Sequence, residues 1–315
     1  KEKQNEHALG TKADPIMLEI FNNLFMSIAE QMGSTLANTA YSVNIKERLD
    51  FSCALFDSSG NLVANAPHVP VHLGSMSDAV RKVEQLNKGK IEPGDSFVLN
   101  APFNGGTHLP DVTVITPVFS MDSNEILFFV GSRGHHADIG GRTPGSAPPD
   151  SKTIDEEGVV IDNFKIVSKG NFRLQETRDL LASGKFPCRN IDQNIKDLEA
   201  QIAANETGIR EVRRMIQNFG TDTVHAYMVH VQDNAEASVR RAVGKLKDGN
   251  FIYPMDFNQK IKVQVRVDRK VGSAVIDFTG TSLQGDNNYN APRSICNAVV
   301  LYVFRTLVGA EIPLN

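Results

Sequence analysis

Three of the eight histidines fall in two short turn-like stretches, THLPDV at 107–112 and GSRGHHADIGG at 131–141. In the first, His108 and Asp111 stand three residues apart around Pro110, which excludes a helix interior and makes the spacing that of a turn. The ends of a four-residue turn lie within about 7 Å, so the two side chains can converge on one point. An imidazole and a carboxylate presented together suit a divalent metal. The competing reading is a turn in which Asp111 caps the backbone and His108 is polar surface.

The second stretch follows the apolar run EILFFV, so His135 and His136 fall just past a strand end, where rigid scaffolds mount functional loops. Adjacent residues of an extended chain face opposite ways, so one histidine of the pair is expected to ligate and the other to support or pack. With His108 and Asp111 this makes a His/Asp/His set, the composition of many hydrolytic metal sites. NIKERLDFSCALFD adds Glu47, Arg48 and Asp50. These read either as a solvated, salt-bridging turn or, functionally, with Glu47 as a further ligand or a general base. NAPHVPVHLGSM adds His68 and His72 between prolines that impose extended or turn backbone. Either imidazole could orient a substrate or move a proton, although each taken singly reads as structural. His225 and His230, five apart in a helical pattern, fall on different helix faces and suggest no site.

The elements that must position these groups are readable in outline. Residues 1–13 read as a linker or disordered tail, closed by Asp14-Pro15, an N-cap followed by a proline at the first helical position. Met17, Ile20, Phe21, Leu24, Phe25, Ile28 and Met32 then trace one apolar helix face. FSCALFDSSGNLVAN reads as a hairpin around Asp57–Asn61, and a helix is expected near 74–87. DSFVLN, DVTVITPVFS and EILFFVGSR are strands too close together for crossover helices, which predicts an antiparallel or mixed sheet in an α+β fold. Beyond residue 170 the sequence becomes a block of long amphipathic helices ending in glycines, either a bundle packed on the sheet or an interface for a partner. Strands return in KIKVQVRV and SAVIDFTG, and ICNAVVLYVFRTLVG reads as a last helix. The expected divisions are 14–170 for the α+β metal-site region, 171–250 for the helices, and 251–315 for a β/α region that looks cut at its end.

Composition bounds the partners. The chain has 315 residues, 41% hydrophobic, enough for a sizeable core. A formal charge of −4 with interspersed signs and no Lys/Arg cluster argues against nucleic acid. No apolar run reaches the ~20 residues of a membrane helix. Three scattered cysteines make no disulfide framework and point to a reducing, cytoplasmic compartment. The polar opening lacks the regions of a signal peptide, and no Walker, GxGxxG, GxSxG or HExxH motif is present, so any ATP would bind elsewhere.

SIAEQMGSTLANTAYSVNIKERLDFSCALFD, GNLVANAPHVPVHLGSM, NAPFNGGTHLPDVTVITPVF and SRGHHADIGGRTPGS together strongly resemble the hydantoinase B/oxoprolinase family, over residues 14 to the end. IKERLDFSCALF with HVPVHLG looks most like its 5-oxoprolinase branch. The resemblance implies ATP-driven opening of 5-oxoproline to glutamate. An A-type, kinase-like half absent from this chain would bind ATP and Mg and phosphorylate the lactam, and the present B-type segment would complete the hydrolysis. It implies a divalent metal, manganese foremost with zinc, iron or cobalt compatible, held by His108, Asp111 and His135, the first histidine of its motif, with Glu47 a possible fourth ligand. Asp138 is then expected to fix a ligand imidazole, and Glu47 and His72 to act in catalysis. Homo- or hetero-oligomers are expected, and a segment inactive without the ATP-binding half. Alternatives within the family are an N-methylhydantoinase B-type or a carboxylase α-type subunit. Outside enzymology, the alternative is a docking scaffold for the ATP-binding half.

Overall fold

The computed structural model describes residues 10–120 and 123–308. Residues 1–9 of the expected tail and the terminal 309–315 lie outside the described residues. In chain order the elements are α1 (Pro15–Thr39), α2 (Val43–Lys46), β1 (Phe51–Asp57), β2 (Leu62–Asn65), α3 (Pro70–Leu86), β3 (Ser96–Leu99), β4 (Asp111–Phe119), β5 (Ile126–His135), β6 (Phe164–Ser168), β7 (Asn171–Phe172), α4 (Leu174–Leu181), α5 (Ile191–Phe219), α6 (Thr221–Val243), β8 (Gly249–Pro254), β9 (Lys260–Asp268), β10 (Ser273–Asp277) and α7 (Arg293–Thr306).

One seven-stranded sheet, ordered β2-β1-β5-β4-β3-β6-β7, is antiparallel throughout. Alternation along each strand divides its side chains between two helical layers. Cys53 and Leu55 of β1, with Phe128 and Val130 of β5, pack under Phe21, Phe25 and Met32 of α1 and under Ala200 and Ala204 of α5. Ala54 and Phe56, with Phe129 of β5, face the opposite way against Met76, Ala79, Val80 and Val83 of α3. With both faces covered, β4 is buried along its whole length, which is why DVTVITPVF reads as a nearly continuous apolar run. The long helices therefore belong to the same core as the sheet.

Asp14 caps α1 by accepting the amides of Ile16 and Met17. The expected start of α3 is corrected by four residues: Pro70 occupies its first turn, so His72 is helical rather than extended. A proline costs no hydrogen bond at that position, where the amide has no intrahelical partner. Residues 171–172, expected to open a helix, form the edge strand β7, and α4 begins only at Leu174. A second, three-stranded antiparallel sheet of β8, β9 and β10 precedes α7. α7 lies against α3 at Gly74, where an added Cβ would stand 2.3 Å from the Ala298 Cα, so only glycine allows that approach. No helix among the described residues is long and apolar enough to cross a membrane.

Candidate metal centre

The site is built from one cross-strand pair and the turn leading into it. Asp111, the first residue of β4, is the register partner of His135, the last residue of β5. His108 precedes β4 in the HLPD turn, whose Leu109 carbonyl accepts from the buried Asn100 side chain at 2.9 Å. Ahead of the turn, Gly105 has φ +91°, and a Cβ there would stand 2.6 Å from the Ala79 Cα of α3, so glycine alone lets the loop press onto the helix.

Asp111, 1% exposed, is the hub. Its Oδ2 accepts from Thr107 Oγ1 at 2.7 Å and faces His108 Nδ1 at 3.0 Å and His72 Nε2 at 3.4 Å. Its Oδ1 faces His135 Nδ1 at 3.2 Å. Burial pushes its pKa up, but the hydrogen bonds of His108, His135 and His72 outweigh this and hold it well below the usual carboxylate range. Burial draws His108 down, yet the hydrogen bond and charge of Asp111 leave its pKa raised. For His72 burial prevails over Asp111, and its pKa is lowered.

His108, Asp111 and His135 each offer a donor atom, all within 4.8 Å of one another. Donors about 2.1 Å from one ion stand roughly 3 to 4 Å apart, so two imidazoles and an ionised carboxylate this close need only a small inward movement to fit a divalent metal. Alternation along β5 separates the two adjacent histidines. His135 shares the α3-facing side with Asp111, whereas His136 turns into the α5 layer, 1% exposed, its ring held by Gln201 Oε1 and Asn194 Nδ2 at 3.0 Å each. Burial lowers its pKa.

Other expected site residues lie differently. Glu47 is exposed at the end of α2 and is not in the three-residue group. The carboxylate its stretch brings to the site is that of Asp50, Oδ2 4.0 Å from His135 Nδ1, because the chain enters β1 there and the Asp50 carbonyl accepts the His135 amide at 3.0 Å. Asp138 touches neither the His108 nor the His135 imidazole: its carboxylate is taken by Arg189 Nη1 at 2.8 Å and by the amides of Gly140, Gly145 and Arg189. It ties the Gly-rich loop together. His72 is 1% exposed and hydrogen-bonded through Nδ1 to Ser52 Oγ at 3.0 Å, so it meets Asp111 from behind. His68 accepts the Cys53 amide at 3.1 Å, and burial, then His72, lowers its pKa to about 4. Thr107, Asn100 and Arg133 were not singled out by sequence reasoning; of these only Arg133 carries a signal, being two residues from His135 on the same strand face.

His108, 53% exposed, and Thr107 open onto a cleft of about 990 Å³, also lined by Phe103, Arg81, Lys152, Tyr289 and Arg293. Its size suits a small molecule, with cations on its walls.

A family model described as hydantoinase B/oxoprolinase matches residues 14–315. A 5-oxoprolinase of Dictyostelium discoideum is 48% identical over 97% of this chain, which spans 24% of that protein. The 5-oxoprolinase of Saccharomyces cerevisiae is 47% identical over 96% of the chain, again 24% of the relative's length. The chain thus spans about a quarter of the length of these relatives. Among solved structures, an ATP-dependent caprolactamase from Pseudomonas jessenii superposes with a TM-score of 0.82 at 26% identity, covering 93% of this chain and 51% of that one.

Proposed function

The chain belongs to the hydantoinase B/oxoprolinase family, and from that premise we propose that it is the metal-dependent hydrolytic part of an ATP-dependent 5-oxoprolinase, converting 5-oxo-L-proline to L-glutamate. The observation that carries the reading is the convergence of His108, Asp111 and His135 beside a small-molecule cleft. Relatives named 5-oxoprolinase and an ATP-dependent caprolactamase of the same fold support a cyclic amide as substrate.

A lactam resists water because its amide is resonance-stabilised. Phosphorylation of the lactam oxygen, by an A-type ATP-binding half outside this chain, would make the ring carbon electrophilic. His108, Asp111 and His135 would hold the metal, which when bound would supply the Lewis acidity that lowers the pKa of water toward neutrality. Asp111 keeps its charge because three imidazoles and Thr107 surround it. His72, buried and held by Ser52, fixes the Asp111 carboxylate and does not reach the substrate. Exposed His108 is the imidazole that meets the cleft. Arg293 on the cleft wall suits a substrate bearing a carboxylate, whereas Arg81 and Lys152 are already paired with Asp78 and Asp286.

The test is metal analysis by mass spectrometry of the full-length protein, with ATP-dependent glutamate release from 5-oxoproline as the second readout. About one divalent metal per chain, lost together with activity in His108→Ala and Asp111→Ala, is expected. Full activity in a metal-free protein would overturn the metal assignment. Turnover of a neutral lactam but not of 5-oxoproline would overturn the substrate and leave the metal site standing.

A further inference from the structure

Arg133 is fully buried, two residues before His135 on the same face of β5. Its guanidinium donates to three neutral groups on three different segments: Nε to Thr113 Oγ1 of β4 at 2.7 Å, Nη1 to Ser75 Oγ of α3, and Nη2 to the Gly105 carbonyl at 3.3 Å. A buried cation held by neutral acceptors is costly and calls for a reason. An arginine guanidinium keeps its charge even when buried, and the Asp111 carboxylate is the opposite charge that acts on it.

The placement of the acceptors supplies the reason. Thr113 is two residues after Asp111, Gly105 three before His108, and Ser75 three after His72. Each arm of the fork therefore ends within one turn of a different member of the site. We infer that Arg133 is the positioning residue of this centre: its rigid fork sets the separation of the three segments that present His108, Asp111 and His72, while its charge offsets that of Asp111. The fork, not the charge alone, is the reason for arginine. A lysine ammonium cannot reach three acceptors spread across a strand, a helix and a loop with planar geometry. Ser75 extends the arrangement by donating to the Val71 and His72 carbonyls at 3.0 Å, so the arm locks the turn of α3 that carries His72.

This inference rests on the metal reading of the previous subsection, and the experiment separates the two. In the full-length protein, cobalt(II) is titrated against a chelator into wild type, Arg133→Lys and Ser75→Ala, and its visible absorption is recorded. Wild type takes up the ion. Arg133→Lys binds it about tenfold more weakly, the effect of losing a group that orients ligands, and with an altered spectrum for the ion that is bound. Ser75→Ala, which removes one acceptor and keeps the charge, weakens binding about threefold. A merely structural role would lower the unfolding temperature while leaving spectrum and affinity of the folded protein unchanged. If Arg133→Lys does not fold, Ser75→Ala decides alone. Affinities within a factor of two of wild type, with an unaltered spectrum, overturn the inference and leave the metal reading intact. Absence of binding in wild type overturns both.

Discussion

Replacing each of the two adjacent histidines by alanine separates metal binding from stability. His135 is 24% exposed, and its ring meets members of the site: the Asp111 and Asp50 carboxylates and the His108 ring, 5.0 Å away centroid to centroid. Its removal leaves no strand hydrogen bond broken, because the backbone amide still reaches the Asp50 carbonyl. Stability should change by less than about 1 kcal/mol, with metal binding lost. His136→Ala is the opposite case. It leaves the Gln201 Oε1 and an Asn194 Nδ2 proton without their ring partner in a buried layer, at about 1 kcal/mol or more each. It also opens a ring-sized cavity, which adds about 1–2 kcal/mol where the site cannot collapse. The expected cost is about 3 kcal/mol, with metal stoichiometry unchanged in the folded protein. Metal content by mass spectrometry and the urea midpoint followed by circular dichroism give the two readouts. If folded His136→Ala loses its metal while His135→Ala keeps it, the face assignment is wrong.

Three further outcomes are expected. Gln201→Leu strands the Val112 and Ser132 carbonyls, now bonded at 2.9 and 3.0 Å, and should cost about 2–4 kcal/mol in urea denaturation; a loss under 0.5 kcal/mol would mean water replaces the amide. Asp95 is buried against Lys165 Nζ at 2.6 Å; burial raises its pKa, but Lys165 and the amides of Lys169 and Glu92 bring it below 3.8. Its stabilisation is therefore complete above about pH 4 and is lost as pH falls through the lowered folded value, so Asp95→Asn should cost about 2 kcal/mol at pH 7 and progressively less in acid. An equal cost at pH 7 and pH 2 contradicts the pairing. Gly74→Val must part α7 from α3, since the Cβ already meets the Ala298 Cα at 2.3 Å, and should cost about 1–3 kcal/mol by thermal unfolding; an unchanged midpoint would refute the close approach.

The metal-centre candidates were legible because turn chemistry and alternation are local. His108-Leu109-Pro110-Asp111 had to be a turn, and two adjacent histidines on a strand had to face apart. What placed Asp111 opposite His135 was strand register, a non-local property that no window of sequence contains. The same limit applies to Glu47 and Asp50: position in the NIKERLD stretch does not tell which carboxylate stands near His135, and in the structure it is Asp50 Oδ2, at 4.0 Å. α5 reads as an ordinary amphipathic helix, yet its buried face includes Asn194, Gln201 and Asn205, whose amides bond the sheet and the loop after β5. Such contacts are invisible to a hydrophobic pattern, which counts a buried amide as polar surface. The prolines around His72 read as breakers that impose extended chain, but at the first turn of a helix proline is a starter, and Pro70 stands there.

If the proposed ion binds, the pairing of Asp111 with His135 would also make its capture a proofreading step for the fold. A slip of one residue between β4 and β5 would set Val112 or His136 where the pair should be, and the three donors would no longer meet. Nascent chains with the wrong strand alignment could then collapse but not load. Because an ion that binds only the native state deepens its free-energy well by mass action, the correctly aligned population would be drawn out of the misaligned one as metal becomes available.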